Sequence, residues 1–582
     1  MELQNQKSEV NIMKNSKSVR FLALLLFLTM TLLSVFTLAS CSDNIMTQTI
    51  PGQETTNPEK SQLYVYVYEG GCGSEWFKSL KARFEAAYAN ESFEEGKRGV
   101  QVMPNYQKSG NTTLDTIINS SSDELYFVEL AMIPSLVRDG LLLDITDWVK
   151  QPLSDFGESE SIYDKMDDAA KAWFSKDGAV FGVPHYEAYW GVTYNIDLFE
   201  KNLLYFSANP DNGNGGFIKS LDEQRSAGPD GNPDTAYDNG LPATYEEFYR
   251  LCERMKLLGI SPFSWAGKYQ QYANAAFAGA LMADYEGKSG TELNYTFRGT
   301  SDSIVTSIDA NGVPTLTTET ITPATGYKVF RQAGYYYALQ FMQKIINNGW
   351  YSANSFKNIQ GQLQAQADFL YTDVVPGAEK IAFLCDGDWW QTEAEAVFNE
   401  MSETYSGADK NSRRFGWLPL PKATAADVGK KGAVVDANWS ACFAKSGLSS
   451  EKTTLAKTFF RFAHTDESLR EFTRITNITK GFTYDLTDDD YNALTAFGRS
   501  VWDIRKNSDV VRAYSGTDLF RYNSGAFFWG DQWKTTVAGK GTFNLPTNAI
   551  RDSGLTALEF FNGMAEYYSE TAWTNKYSSY FD

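Results

Sequence analysis

A chain of 582 residues is long enough for two or more folded units, and 43 % hydrophobic with 21 % charged residues suits a globular protein with sizeable cores. Lys and Arg number 52 against 72 Asp and Glu, a formal charge of −20 that argues against nucleic acid and against broad contact with an anionic membrane face. Only two histidines occur, His185 and His464, which excludes a multi-histidine metal centre, while 14 Trp and 33 Tyr suit a site that stacks on flat apolar faces.

Residues 1–20 carry Lys7, Lys14, Lys17 and Arg20, and Phe21 to Ser40 then runs apolar. A basic stretch, an apolar run and small residues read as an export signal; a membrane-spanning anchor is the competing reading of the same run. Leu38-Ala39-Ser40-Cys41 resembles the lipobox of bacterial lipoprotein signal peptides. That resemblance implies cleavage after residue 40, a lipid (palmitate-type) anchor on Cys41 and a protein held on the extracellular or periplasmic face of a membrane. Residues 41–61 are polar, with Pro51 and Pro58, and suit a flexible tether. Cys72, Cys252, Cys385 and Cys442 form no CxxC pair; disulfides are open to them outside the cytoplasm, but apolar surroundings favour free thiols for the last three.

Leu63-Tyr-Val-Tyr-Val-Tyr68 predicts a strand, and Ser74 begins a helix through Trp76, Phe77, Leu80, Phe84 and Tyr88. Val100–Met103 and Glu124–Leu130 predict strands, Thr113–Ile118 and Ile133–Asp139 helices. This alternation implies a parallel sheet covered on both faces. Gly191–Asn195 predicts another strand, and Asn209–Gly240 is rich enough in Gly, Asn, Asp and Pro to be loop. Thr244 and Glu247 form a capping-box pattern for a helix using Phe248, Leu251, Cys252, Met255 and Leu258. Ser303–Thr322 predicts a hairpin around Asp309–Val313, and Tyr327–Asn348 one long helix. Ile381–Leu384 predicts a buried strand, Ala433–Phe443 contains another, and Ser450–Phe462 predicts a helix; Asp488–Tyr580 is mostly helical, with an aromatic break at Phe527-Phe528-Trp529.

Five stretches, in order, resemble the carbohydrate-binding group of bacterial extracellular solute-binding proteins of ABC importers, the group that includes maltose-binding protein. They are Gly140–Trp148; Ala179–Pro184 with Gly191–Phe199; Leu241–Phe248 with Gly259–Phe263; Lys380–Trp389; and Phe415–Pro421. The likeness covers about residues 62–582. It implies an α/β fold of two lobes with a ligand cleft between them, joined by crossing hinge strands. The expected lobes are residues 62–190 with 442–487, and 191–441 with 488–582. The loops at 203–240 and 286–326 look longer than the family core. The first holds Asp230, Asn232, Asp234 and Asp238, whose alternating oxygens suit calcium; a solvated loop accounts for them equally, since Thr235 stands where an EF-hand needs Gly.

A cleft-binding sugar needs aromatic planes and polar groups for hydroxyls that lose water. The resemblance and the strand ends together select Glu69, Glu187, Tyr189, Trp190, Trp265, Asp388, Trp389, Asn438, Trp439 and Trp529 as candidates for contact with the sugar. Trp265, Trp389 and Trp439 would stack; Glu187 and Asp388 would accept from hydroxyls. For each Trp, core packing is the competing reading, and for each acid a surface charge or a helix cap. The expected protein is a monomer without cofactor or catalytic residues that binds a neutral sugar and delivers it to an ABC permease. A cell-surface glycosidase with a carboxylate pair, or a sugar sensor acting on a signalling partner, are the alternatives.

Overall fold

The computed structural model describes residues 55–107, 113–530 and 532–581. The export-signal and lipidation readings around Cys41 lie outside these residues.

Two sheets organise the Thr56–Asp582 unit. The first has five strands in the spatial order Val100–Gln107, Ser61–Tyr68, Leu125–Val128, Ala441–Ala444, Val183–Pro184; the first three run parallel and the last two antiparallel to their neighbours. The alternation in Leu63–Tyr68 sets its two faces. Leu63, Val65 and Val67 go under helices, while Tyr66 stacks on Tyr126 of the neighbouring strand at 5.6 Å and Tyr126 on Phe443 at 5.2 Å. Such cross-strand pairs stabilise a sheet by roughly 0.2–1 kcal/mol each. The second sheet orders Phe415–Trp417, Trp190–Asn195, Ile381–Gly387 and Ser261–Ser264. Its Phe263 and Phe383 stack at 5.0 Å, and Phe248 of the Tyr245–Leu257 helix lies flat on Phe263 at 5.6 Å.

Residues 185–189 run between the two sheets, while 437–440 lead into the first sheet from Ala433–Asp436, which pairs with Asp509–Arg512 outside the second; the two segments bond to each other. Tyr189 and Asp436 form an isolated antiparallel bridge, and the Ala437 N–H donates to the Ala188 carbonyl at 3.2 Å. The Glu187 N–H donates to Thr479, a residue of a third segment beside them.

The structure departs from the sequence expectations, or adds to them, at four points. The predicted Tyr327–Asn348 helix is a 3-10 segment, Pro323–Arg331, followed by an α-helix from Ala333 to Asn347. Gln332 breaks it with ψ 141°, because its buried amide is bound to Asn294 and to the Gly290 carbonyl. Ala433–Phe443, expected to contain a strand, contributes to two. Ala433–Asp436 pairs with Asp509–Arg512, and Ala441–Ala444 belongs to the first sheet. Leu258 ends its helix at the surface, 45 % exposed, because the apolar stripe stops at Met255. The 203–240 loop carries its own small core, with Phe206 on Phe217 at 4.6 Å and the Arg225 guanidinium over Tyr205 at 3.6 Å. The Ser450–Phe462 helix and the hairpin of Gly299–Ile308 with Pro314–Ile321 form as expected. Cys72, Cys252, Cys385 and Cys442 are free and buried.

Candidate functional site

Parallel strands finish at one edge of a sheet, so Glu69–Gly71 and Glu129–Leu130 emerge side by side from the first sheet. Ser261–Ser264 and Ile381–Gly387 are likewise parallel, and lead to Trp265 and to Asp388–Trp389. The two edges meet. A Cβ added to Gly71 would collide with the Trp389 ring, and one added to Gly70 with Glu129 Oε1. Only glycines permit this approach. Trp389 stands edge-to-face with Trp190 at 4.9 Å, and Trp190 with Tyr272 at 4.8 Å. Trp190 and Tyr272 are half-buried, so this aromatic corner reaches solvent.

Glu129 closes the corner from the other side. It accepts from the Tyr186 hydroxyl, and Asn438 Nδ2 reaches the same hydroxyl at 3.4 Å. Burial pushes the Glu129 carboxyl up to about 7, with the nearby Glu393 adding to the rise and bonds from Asn438 and the Gly71 backbone opposing it. The backbone here is strained. Leu130 has φ 52° and Trp439 φ 47°, and they lie across a ladder in which the Leu130 N–H donates to Asn438 and the Ala131 N–H to Trp439. Leu130 is left 51 % exposed.

The candidates named from sequence divide into two groups. Glu69, Trp190, Trp389 and Asn438 lie at this corner; Glu69 is half-buried, its N–H extending the ladder to Gln107. Trp265, Trp439 and Trp529 are core residues. Trp265 packs on Phe356 at 5.3 Å and donates to Gln270, Trp439 packs on Phe528 at 5.0 Å and donates to the Ala513 carbonyl, and Trp529 lies against Gly279.

Glu187 does not offer a free acceptor to a ligand, contrary to the role expected for it. Its Oε2 accepts from the Tyr189 hydroxyl, Thr479 Oγ1 and Arg505 Nε, each at 2.6 Å, and its Oε1 pairs with Arg512 at 2.8 Å. Arg512 also pairs with Asp436 at 2.9 Å and Asp167 at 2.7 Å. Tyr189 is consumed by the same network and is buried. Glu187 therefore ties together the crossing segments.

Asp388 is also inside. Its Oδ1 accepts from the Tyr189 N–H at 3.1 Å, and its Oδ2 is buried without a partner. Burial first, then Asp436 and Glu187, push its pKa well above the ordinary carboxylate range. Stability from such a group is present below the ordinary carboxylate range and declines as pH rises from there toward the raised folded pKa. Asp388→Asn is expected to change unfolding stability by less than about 1 kcal/mol at neutral pH, because an amide matches the carboxyl in shape and its oxygen still accepts from the Tyr189 N–H. Urea titrations of both proteins check it; a loss of several kcal/mol would show that the carboxylate is ionised.

Sequence reasoning missed Glu129, Tyr186, Tyr272 and Glu393. Glu129 carried no signal because it sat inside a run read as strand, and the strand ends one residue before it. The Asp230, Asn232, Asp234 and Asp238 loop turns its oxygens onto itself: Asn232 N–H and the Thr235 hydroxyl bind Asp230, Asp234 N–H binds Asn232, and Asp230 N–H binds Asp238. Among the described residues no group of three or more His, Cys, Asp or Glu is arranged to hold a metal ion.

Residues 74–409 match the family model described as bacterial extracellular solute-binding protein. No curated protein matches the chain significantly. Several solved structures share the fold. A chitin oligosaccharide binding protein is 13 % identical, over 88 % of this chain and 99 % of its own, with a TM-score of 0.50. A protein described in connection with xylan utilization by the thermophilic bacterium Caldanaerobius polysaccharolyticus is 11 % identical, over 87 % and 99 %, at 0.52. The cyclic alpha-maltosyl-1,6-maltose binding protein from Arthrobacter globiformis is 12 % identical, over 89 % and 100 %, at 0.50.

Proposed function

Because the chain belongs to the bacterial extracellular solute-binding proteins, we propose that it captures an oligosaccharide outside the cytoplasm and delivers it to an ABC transporter permease. The observation that carries this is the corner where Trp389, Trp190 and Tyr272 face Glu69, Glu129 and Asn438. Ring faces beside carboxyl and amide groups fit a ligand with flat apolar faces and many hydroxyls. The chitin-oligosaccharide and maltosyl-maltose ligands named for two structural neighbours support a sugar of more than one unit.

In this proposal residues 62–190 with 442–487 form one lobe, and 191–441 with 488–582 the other. The lobes close by hinge motion of the segments around Glu187 and exclude water from the ligand. Trp265, Trp439 and Trp529 hold the walls. The protein acts without catalysis, as its family implies. A thermal-shift screen of mono- and oligosaccharides tests the proposal, because a ligand that binds only the folded state raises the melting temperature by mass action. A sugar that stabilises the protein and is recovered intact is the expected result. Hydrolysis of that sugar by the wild-type protein would instead establish a glycosidase, and stabilisation by no sugar would remove the carbohydrate reading.

The proposal includes a lipid anchor on Cys41. It is supported by the small residues before that cysteine and the apolar run upstream. Labelled palmitate is expected to enter the wild-type protein in cells and not Cys41→Ser; label in the mutant would refute the anchor.

A further inference from the structure

A cavity of about 210 Å³ lies beside the aromatic corner and shares Trp190 with it. Trp417, at the edge of the second sheet, forms part of its wall, and residues 432–435 form another part. Lys422 and Asp284 also line it, with the amine 2.8 Å and 3.0 Å from the two carboxylate oxygens and both side chains more than nine-tenths buried. Glycine at 432 keeps the space in front of this pair open. A Cβ there would lie 2.9 Å from Asp284 Oδ1, 3.6 Å from Lys422 Nζ and 3.7 Å from Ser508 Oγ. Gly432 is not in the left-handed region, so the backbone does not require glycine; the space does. A carboxylate, an ammonium and a hydroxyl thus converge on one point of the cavity.

Each of the three has bonding capacity left. Two of the Lys422 protons go to Asp284, and the third is free for a ligand. Asp284 takes Lys422 and the Ala433 N–H and keeps further lone pairs. Among the described residues the Ser508 hydroxyl has no partner. The other charges in the lining are spoken for. Lys430 and Lys431 pair with Asp427 at 2.7 Å and Asp509 at 2.6 Å, and the Asp230 carboxyl is turned onto Asn232 and Thr235 of its own loop. An anion would compete with Asp284 for Lys422, and an ammonium with Lys422 for Asp284, each leaving the displaced charge buried and unpaired. A neutral ligand that donates and accepts at neighbouring atoms disturbs neither, and adjacent hydroxyls do both. The rings of Trp190 and Trp417 suit the apolar face behind such hydroxyls. The volume is below the roughly 300–1,000 Å³ of sites for drug-sized ligands, so it fits a single ring rather than a chain.

We propose that this cavity is a binding site for one neutral pyranose unit, two adjacent hydroxyls of which bridge Lys422 and Asp284, with Ser508 in reach of the same unit. The ligand class rests on the proposed carbohydrate capture; the site itself is separate from the carboxyl and amide groups of the corner. Two sources share this chemistry: a free monosaccharide and the end unit of a captured oligosaccharide.

Ligand-observed NMR and calorimetry on the full chain test it, with D-glucose, D-galactose, D-mannose, maltotriose and triacetylchitotriose as probes. At least one hexose is expected to bind, and the 2-amino and 6-phosphate forms of that hexose to bind more weakly. Lys422→Met combined with Asp284→Leu removes donor and acceptor together without stranding a charge, and Gly432→Ala fills the point where they converge. Each is expected to weaken hexose binding roughly tenfold or more. Circular dichroism checks the fold of both. Trisaccharide binding that falls in the same variants identifies the end unit; trisaccharide binding that is unaffected while the hexose is lost identifies a free monosaccharide. A hexose that binds the folded variants as tightly as wild type would overturn the proposal, as would a preference for the charged forms. Trisaccharide binding alone, unchanged in both variants, would overturn it and leave carbohydrate capture standing. No binding by any of these sugars would also overturn it, and the broader thermal-shift screen then decides whether carbohydrate capture falls with it. Should neither variant fold, the comparison of neutral with charged hexoses decides.

Discussion

Glu187→Ala is expected to destabilise the protein by about 3–5 kcal/mol, the typical loss when one partner of a buried ion pair is removed. Glu187 is fully buried, and four side chains converge on it: Arg505, Arg512, Tyr189 and Thr479. Without the carboxylate, Arg505 keeps the Phe482 carbonyl at 2.7 Å and the Tyr484 and Trp502 rings but no anion, and Arg512 keeps Asp436 and Asp167. The damage falls on the 185–189 segment that joins the two sheets, because the carboxylate ties it to Thr479 beside it and to Arg505 and Arg512 farther along the chain. Burial raises the Glu187 pKa, but the two arginines outweigh it and hold the carboxyl down at about 2. A depressed folded-state pKa gives stability that is fully present above the ordinary carboxylate range and is lost as pH falls toward about 2. Wild type should therefore lose stability steeply over that acid window, and Glu187→Ala should lose less there. Urea unfolding at neutral and acid pH measures both. A variant as stable as wild type at pH 7 would mean that the arginines are neutralised by Asp436 and Asp167 alone.

The regular elements were legible in the sequence where local pattern and tertiary environment agree. Leu63–Tyr68 alternates because two different cores lie on its two faces, and Asp309–Val313 turns because Asp309 binds the Asn311 and Val313 N–H groups within the loop itself. Patterns failed where distant residues decide. Nothing near Gln332 says that Asn294 and Gly290 will take its amide and break a helix. The site was half legible for the same reason. Adjacent Trp389 and Trp390 cannot share one core, and they do not: Trp390 packs on Phe415 and Phe497, while Trp389 turns toward Gly71 and Trp190. Whether Trp265 or Trp439 faces a cleft depends on Tyr351, Phe356 and Ala513, all more than sixty residues away in sequence. Among the acids, the sequence favoured Glu187 over Glu129. Their roles divide on which arginines lie near them, and arginines at 505 and 512 carry no mark that links them to position 187.

Gly71→Ala is expected to weaken ligand binding by at least about tenfold while leaving the ligand-free protein folded. The collision it creates is with the Trp389 ring, and the Gly71 backbone is not in the left-handed region, so alanine adds no strain of its own. Trp389 comes from the end of the Ile381–Gly387 strand and Gly71 from the end of Ser61–Tyr68, so their contact exists only while those two edges are together. A second contact, from Thr392 Oγ1 to the Thr476 carbonyl at 2.9 Å, also links the Trp389 segment to the helix packed on the first sheet. Separating the edges relieves the added methyl group, which makes the open arrangement the cheaper one. Apparent affinity then falls in proportion to the lost population of the closed form. Trp389→Ala removes the stacking plane instead and should cost roughly 2–4 kcal/mol of binding, as expected for an aromatic hot spot. The two variants separate position from chemistry. Trp389→Ala should lose affinity together with some thermal stability, since it also strips Trp190 of its neighbour. Gly71→Ala should lose affinity alone, with scattering in solution showing a larger radius of gyration when ligand is present than wild type shows. Wild-type affinity in Gly71→Ala would mean that the Gly71–Trp389 contact plays no part in the ligand-holding state, and that the ligand is held elsewhere than between these two edges.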